Sequence, residues 1–220
     1  MNIWSLCSID GGPNVGLYAL VYGMVGVFKS TDGGLNWYKV TTWGSVPIFD
    51  NQYVVGLQAI DDTLYAVTSG GSKKQGGTVL KSTDGGASWQ KVILGPGQFT
   101  GLYSAGTEHS DKLYTTIQGV GVFTSTDGGA NWLDLNFNKA VSTLFSIDEG
   151  SDLGLYIVTN DNWLFKYGES TASWNVVALL YSLGIREGID KVVNSIKYVY
   201  SGINSGLYVG TSGGFLKRGQ

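Results

Sequence analysis

Ser30-Thr31-Asp32-Gly33-Gly34-Leu35-Asn36-Trp37 decides the architecture, because the chain repeats it. It returns as Ser82-Thr83-Asp84-Gly85-Gly86-Ala87-Ser88-Trp89 and as Ser125-Thr126-Asp127-Gly128-Gly129-Ala130-Asn131-Trp132. A worn fourth copy, Tyr167-Gly168-Glu169-Ser170-Thr171-Ala172-Ser173-Trp174, aligns by its Trp, and the Trp-to-Trp steps are 52, 43 and 42 residues. A carboxylate in a tight turn accepts hydrogen bonds from backbone N–H groups that the turn leaves unpaired. The paired glycines permit the positive φ values such a turn demands, and each Trp brings a large ring to bury. A Ca²⁺ ion wants several converging oxygens, whereas each copy offers one carboxylate. Ser30, Asp32, Gly34 and Trp37, Ser82, Asp84, Gly86 and Trp89, Ser125, Asp127, Gly129 and Trp132, and Glu169 with Trp174 are therefore read as structural, with no metal site. In the fourth copy Tyr167 replaces the Ser and Ser170 the first Gly, so a different turn is expected there.

Outward from these turns, two further registers show five units. Leu-Tyr occurs at Leu17-Tyr18, Leu64-Tyr65, Leu113-Tyr114, Leu155-Tyr156 and Leu207-Tyr208, and an apolar segment anchored by Leu6, Leu57, Leu102, Leu144 and Ile196 lies upstream of each. Both series span 190 residues, a mean step of 47.5, within the roughly 40–50 residues of a four-stranded propeller blade. Inside a unit the apolar period is two. Unit three reads as strands at 100–105, 112–117, 121–125 and 132–135, separated by Gly, Asp, Asn and Ser. The strands of a unit are named A to D in chain order. Tyr181–Asn194 is the one helical candidate, and Gly184 and Gly188 interrupt it. The expectation is an all-β fold: a single five-bladed antiparallel β-propeller, with blades near 3–41, 53–94, 99–136, 141–180 and 192–220. The fifth unit reaches only strand C before Gln220, so its blade is expected to lack the outermost strand. Such an edge is expected to be poorly protected or to pair with a neighbour, giving edge-to-edge self-association through the last blade.

Ser-x-Asp-x-Gly-x-x-Trp between two strands resembles the Asp-box, or bacterial neuraminidase repeat. The family the motif resembles includes sialidases, xyloglucan hydrolases, sorting receptors, photosystem assembly factors and lectin-like proteins, so the resemblance implies the fold far more than an activity. It also implies an extracellular or periplasmic setting, although Met1-Asn2-Ile3-Trp4 has neither the basic start nor the apolar core of a signal peptide.

Composition narrows the classes. Gly is 34 of 220 residues, roughly twice its usual share, and charged residues are only 14%. Seven Trp, thirteen Tyr and eight Phe are too much apolar surface for a disordered chain. A net charge of -3 offers no grip on phosphates, which argues against nucleic acid. The apolar runs are short of the roughly 20 residues of a membrane helix. Cys7 is alone, excluding a disulfide framework and a thiolate cluster. No cofactor motif is present.

In the propeller reading, A–B loops and C–D turns share one face, and B–C and D–A loops the other. Most carboxylates fall on the first, including Asp10, Asp61, Asp62 and the turn Asp residues. In the family resemblance, ligands gather on the second face near the channel. There Trp43, Phe49, Asp50, Phe99, Asp161, Asn162, Trp163, Tyr181 and Arg186 are the candidate ligand residues: flat rings beside amides and charges suit sugar hydroxyls. Lys73-Lys74 in a Gly-rich loop reads as a solvated tip, and His109 as an exposed loop residue.

A sialidase, as the resemblance implies it, needs three arginines to clamp the substrate carboxylate; only Arg186 and Arg218 exist, and no Phe/Tyr-Arg-Ile-Pro segment precedes the first turn. Another glycosidase would need paired carboxyls, for which Asp50, Asp161, Glu187 and Asp190 offer no fixed spacing. Two functions remain in front: a non-catalytic binding module, glycan-binding and lectin-like, using the channel face, and a protein-docking scaffold or assembly factor.

Overall fold

The computed structural model describes residues 2–22, 26–42, 54–69, 76–94, 97–104, 112–147, 154–179, 193–199, 206–211 and 214–217. Trp43, Phe49, Asp50, Lys73, Lys74, His109, Tyr181, Arg186, Glu187, Asp190 and most of the helical candidate lie outside the described residues.

Among the described residues all regular structure is β. The strands β1 (Asn2–Ile9), β2 (Gly16–Tyr22), β3 (Gly26–Ser30) and β4 (Tyr38–Thr42) form one sheet in chain order. β5 (Val54–Ile60), β6 (Thr63–Thr68), β7 (Thr78–Ser82) and β8 (Gln90–Leu94) form the second. β9 (Phe99–Ser104), β10 (Leu113–Ile117), β11 (Gly121–Ser125) and β12 (Leu133–Asp134) form the third. β13 (Val141–Ile147), β14 (Gly154–Thr159), β15 (Trp163–Gly168) and β16 (Ser173–Leu179) form the fourth. A three-stranded sheet follows with β17 (Val193–Val199), β18 (Gly206–Thr211) and β19 (Gly214–Lys217). Each sheet is a meander, its strands neighbouring one another in chain order. The chain divides into two compact units: Met1–Ser104, Glu108–Gln118 and Phe123–Leu133 form one, and Ala105–Thr107, Gly119–Val122 and Asp134–Gln220 the other.

In the first unit the sheets stack face to face. Cys7, Ile9, Tyr18, Leu20 and Val27 pack on Val54, Leu57, Leu64, Ala66, Leu80 and Trp89. Tyr65, Val67 and Val79 pack on Phe99, Leu102, Leu113 and Ile117. Successive residues of β6 therefore point into two different cores, which is why Leu-Tyr-Ala-Val lacks a polar alternation. Burial pushes the Cys7 thiol up to about 12, leaving it a protonated apolar group.

The three repeated turns share one hydrogen-bond pattern. Ser30 Oγ donates to Asp32 Oδ1 (2.8 Å) and accepts from Gly34 N (2.9 Å). Asp32 then accepts from Asn36 N (2.9 Å) and Asn36 Nδ2 (2.7 Å), and Trp37 Nε1 donates to Gly34 O (2.9 Å). Ser82, Asp84, Gly86, Ser88 and Trp89 repeat these contacts, as do Ser125, Asp127, Gly129, Asn131 and Trp132. Both glycines of each pair have positive φ, from 66° to 94°. The fourth turn departs from the pattern. Thr171 N closes on Gly168 O (3.2 Å), Ala172 takes φ 48°, and Trp174 Nε1 reaches Leu135 O (2.9 Å), 39 residues back. Trp174 packs instead against Phe137 and Tyr167.

The repeated turns also explain the Leu-Tyr register. A Cβ added at Gly85 would lie 3.0 Å from the Tyr18 hydroxyl, and one at Gly128 2.9 Å from that of Tyr65. The second and third turns thus rest on the Tyr of the sheet before them, whereas a Cβ at Gly33 of the first turn meets nothing within 4 Å and Trp37 stays exposed. The Tyr is backed in turn by a cross-strand Lys: Lys29 Nζ lies 5.2 Å from the Tyr18 ring centre, Lys81 5.6 Å from Tyr65 and Lys166 5.3 Å from Tyr156. β12 is shorter than the sequence pattern predicts, two residues rather than four. The Asp134 carboxylate captures Asn136 N (2.7 Å), and Asn136 turns to φ 56°, ending the ladder.

Candidate functional site

The two ends of the sheets in the first unit differ in chemistry. At the end carrying the repeated turns, the A–B loop residue Asn14 binds the second sheet from both its backbone and its side chain. Its N–H donates to Asp62 Oδ1 (3.1 Å), and Nδ2 donates to Asp62 O (3.1 Å) and Thr83 O (3.0 Å). Asn14 is buried, and Tyr18 donates its hydroxyl to the Asn14 carbonyl (2.5 Å). Burial first, and then Tyr38, Asp62 and Cys7, hold that hydroxyl up at about 12, protonated and donating.

The turn carboxylates are engaged by their own loops. Hydrogen bonds from Asn36 N, Asn36 Nδ2 and Ser30 hold Asp32 down at about 2, and the matching set from Asn131 and Ser125 does the same for Asp127. At Asp84 partial burial pulls upward, but Ser88 and Ser82 outweigh it and the carboxyl is lowered. Folded groups that titrate below the unfolded value of about 3.9 contribute stability that is complete above that pH and is lost as pH falls through the folded value. The melting temperature is expected to be level from pH 7 to about 5 and to fall between about pH 4 and 2. Asp127→Asn should remove its share of that fall. A melting temperature that rises on acidification through this window would contradict the assignment. Among the described residues, no three His, Cys, Asp or Glu side chains gather as a metal site.

The opposite end, where B–C and D–A loops emerge, holds an open pocket of about 450 Å³ lined by Val55, Ser69, Gln98, Phe99, Thr100 and Gln118. Its framework is backbone. The D–A segment before β9 accepts from the second sheet at Gly77 N→Gly97 O (2.7 Å) and from its own sheet at Gln118 N→Gln98 O (2.9 Å). Thr100 Oγ1 is held by Thr116 Oγ1 (2.6 Å) and Thr116 O (3.2 Å). Phe99 is 2% exposed and lies against Gly77, so its ring edge forms an apolar wall. Gln118 and Thr100 are exposed at the rim. Uncharged amide, hydroxyl and ring surfaces on a strapped backbone suit an uncharged polar ligand.

Of the candidate ligand residues that are described, Phe99, Asp161, Asn162 and Trp163, Phe99 lines this pocket. Asp161, Asn162 and Trp163 form the B–C turn of the fourth sheet, in the second unit. There Asn160 N donates to Ala140 O (3.0 Å), Asn162 N to Thr159 O (2.9 Å) and Trp163 N to Thr159 Oγ1 (3.0 Å). Asn162 has φ 63° and is buried, Asp161 is exposed at the tip, and Trp163 is half-buried. The strand pattern places Gln118 in a B–C loop of this face, but Gln98, Thr100 and Ser69 carry no sequence signal of their own, because single uncharged polar residues have no period and no motif. The Asn14 clasp lies in a loop without a repeat. The Tyr–Lys pairing, by contrast, is visible as Lys29, Lys81 and Lys166 in strand C.

No family model matches the chain, and no curated protein matches it. Among solved structures, YCF48 bound to a D1 peptide is similar over 96% of this chain and 62% of its own, with a TM-score of 0.61 and 15% identity. YCF48 from Cyanidioschyzon merolae is similar over 99% of this chain and 67% of its own, with a TM-score of 0.61 and 16% identity. The GH74 enzyme from Niastella koreensis is similar over 98% of this chain and 38% of its own, with a TM-score of 0.55 and 18% identity. The chain spans less than two thirds of the first of these. These are β-propeller-type proteins, and at such identities the likeness shows the fold alone: all-β, of propeller type.

Proposed function

We propose that this chain is a non-catalytic binding module of the Asp-box type, its five sheets serving as five blades of one propeller. In this reading the ligand sits at the end where B–C and D–A loops emerge. The observation that carries it is the pocket: its described lining is amide, hydroxyl, aromatic and, at Val55, aliphatic, without a carboxylate, imidazole or thiol. The opposite end commits its turn carboxylates to backbone hydrogen bonds. Such a lining recognises hydroxyls and amides, which makes a glycan the first ligand class to test, without cofactor or turnover. Trp43, Phe49, Asp50, Asp161, Asn162, Trp163, Tyr181 and Arg186 stay proposed as further ligand residues of the chain. A second reading is a protein-docking scaffold, favoured by the similarity to YCF48, a propeller solved with a bound peptide.

The test is a glycan array and a peptide array probed with the full chain, followed by Gln118→Ala. Gln118 is exposed, so its truncation should leave the melting temperature unchanged. Loss of one or two hydrogen bonds should weaken binding roughly tenfold. Signal on the peptide array alone would favour the scaffold. Hydrolysis of a bound glycan, or binding indifferent to Gln118 and Thr100, would sink the proposed site.

A further inference from the structure

Gln118 N donates to Gln98 O (2.9 Å), so these two residues stand side by side where β9 and β10 border the pocket. That bond joins backbone atoms, and both side-chain amides are without a hydrogen-bond partner among the described residues. Gln98 is half-buried and Gln118 is exposed, so one carboxamide belongs to the wall of the pocket and the other to its rim. Each offers an N–H pair and a carbonyl. Thr100 directs its hydroxyl proton at Thr116 O (3.2 Å) and does not have it to give to a ligand. Beside the amides lies apolar surface from two sheets: Val55 of β5, half-buried, and Phe99 of β9, 2% exposed.

We propose that this pocket takes a neutral 2-acetamido sugar, with the acetamido amide held between Gln98 and Gln118 and its methyl group against Phe99 and Val55. The proposal rests on the reading of this end as the ligand end and names the ligand class. A secondary amide is planar and trans, so its N–H and C=O point in opposite directions. One carboxamide cannot meet both. Two can, one accepting from the N–H and the other donating to the C=O. A sugar hydroxyl is satisfied by any polar neighbour, whereas the acetamido methyl gains only from apolar surface placed beside the amides. A peptide carries the same trans amide, but an extended peptide binds by lengthening a free ladder. Here Gly97 O and Gln98 O already accept from Gly77 N (2.7 Å) and Gln118 N.

Isothermal titration of the full chain should give tri-N-acetylchitotriose a Kd roughly tenfold or more below that of cellotriose, which carries hydroxyls in place of the acetamido groups. Gln98→Ala and Gln118→Ala should each bring the two sugars to within about threefold of one another. The melting temperature should hold in both, since neither side chain makes a hydrogen bond to the described fold. Gln98→Glu and Gln118→Glu keep an acceptor and lose the N–H pair, so one of them should retain the preference and the other lose it. Cellotriose bound as tightly as chitotriose overturns the acetamido assignment and leaves the glycan reading standing. N-acetylglycine methylamide bound as tightly as chitotriose overturns it too, because the amide is then read without the ring. Chitotriose left unbound up to about 10 mM also overturns it; signal from other sugars on the glycan array then keeps the glycan reading, and a silent array removes both.

Discussion

Gly77→Ala is expected to lower the stability of the first unit by about 3 kcal/mol or more, the upper end for overpacking a filled core. The added Cβ would stand 2.2 Å from Phe99 Cδ2 and 2.3 Å from the Thr68 carbonyl oxygen. Neither neighbour has room to retreat. Phe99 is 2% exposed, and Thr68 is fixed through its hydroxyl, which accepts from Thr78 N (2.8 Å). Gly77 N is also one of the two backbone bonds that strap the D–A segment, so relief by backbone movement would open the pocket wall. At this chain length the melting temperature should fall by roughly 6–12 °C. Gly77→Ala combined with Phe99→Leu should recover only part of it, because the carbonyl clash survives the smaller ring. Thermal melting of the three variants decides the matter; a Gly77→Ala melt within 2 °C or so of wild type would refute the packing argument.

Asn14→Ala should cost about 2 kcal/mol, because it strips the donor from two carbonyls in another sheet, Asp62 O and Thr83 O, at a buried position. Asn14→Asp should be worse than alanine at neutral pH. It keeps the volume but points an acceptor at two carbonyls, beside the Asp62 carboxylate that accepts from Asn14 N. Denaturant melts of both variants at pH 7 supply the comparison. An aspartate variant more stable than the alanine one would mean that Asn14 does not donate to these carbonyls.

The sheets were legible because three independent signals carry physical necessity at fixed places. A turn with two positive-φ residues needs Gly33-Gly34 or its copies; its Trp needs a surface; strand B needs apolar residues on both faces. What escaped was whatever departs from the repeat. β12 is cut short by the local hydrogen bond from Asn136 N to Asp134, which competes with the ladder, and such competition leaves no periodic trace. Asn14 looks like any loop asparagine until its partners, 48 and 69 residues away, are known. The pocket was hidden for a related reason. Phe99 could be named because aromatic rings are conspicuous, whereas Gln98 and Gln118 meet through backbone geometry that side-chain patterns do not encode.

The seat of the second and third turns on the tyrosine of the preceding sheet makes the repeat a transferable piece. A segment running from one Leu-Tyr to the next carries a tyrosine that receives the following turn and a turn that fits the preceding tyrosine. Spliced between the first and second sheets, such a copy would bring both halves of the joint to its two flanks. The fourth sheet is the exception. With Trp174 anchored to Leu135 O and its ring against Phe137, that unit is fitted to one particular predecessor. Gene duplication could therefore multiply the second unit, which carries both halves of the joint, while the fourth could travel only together with the residues before it.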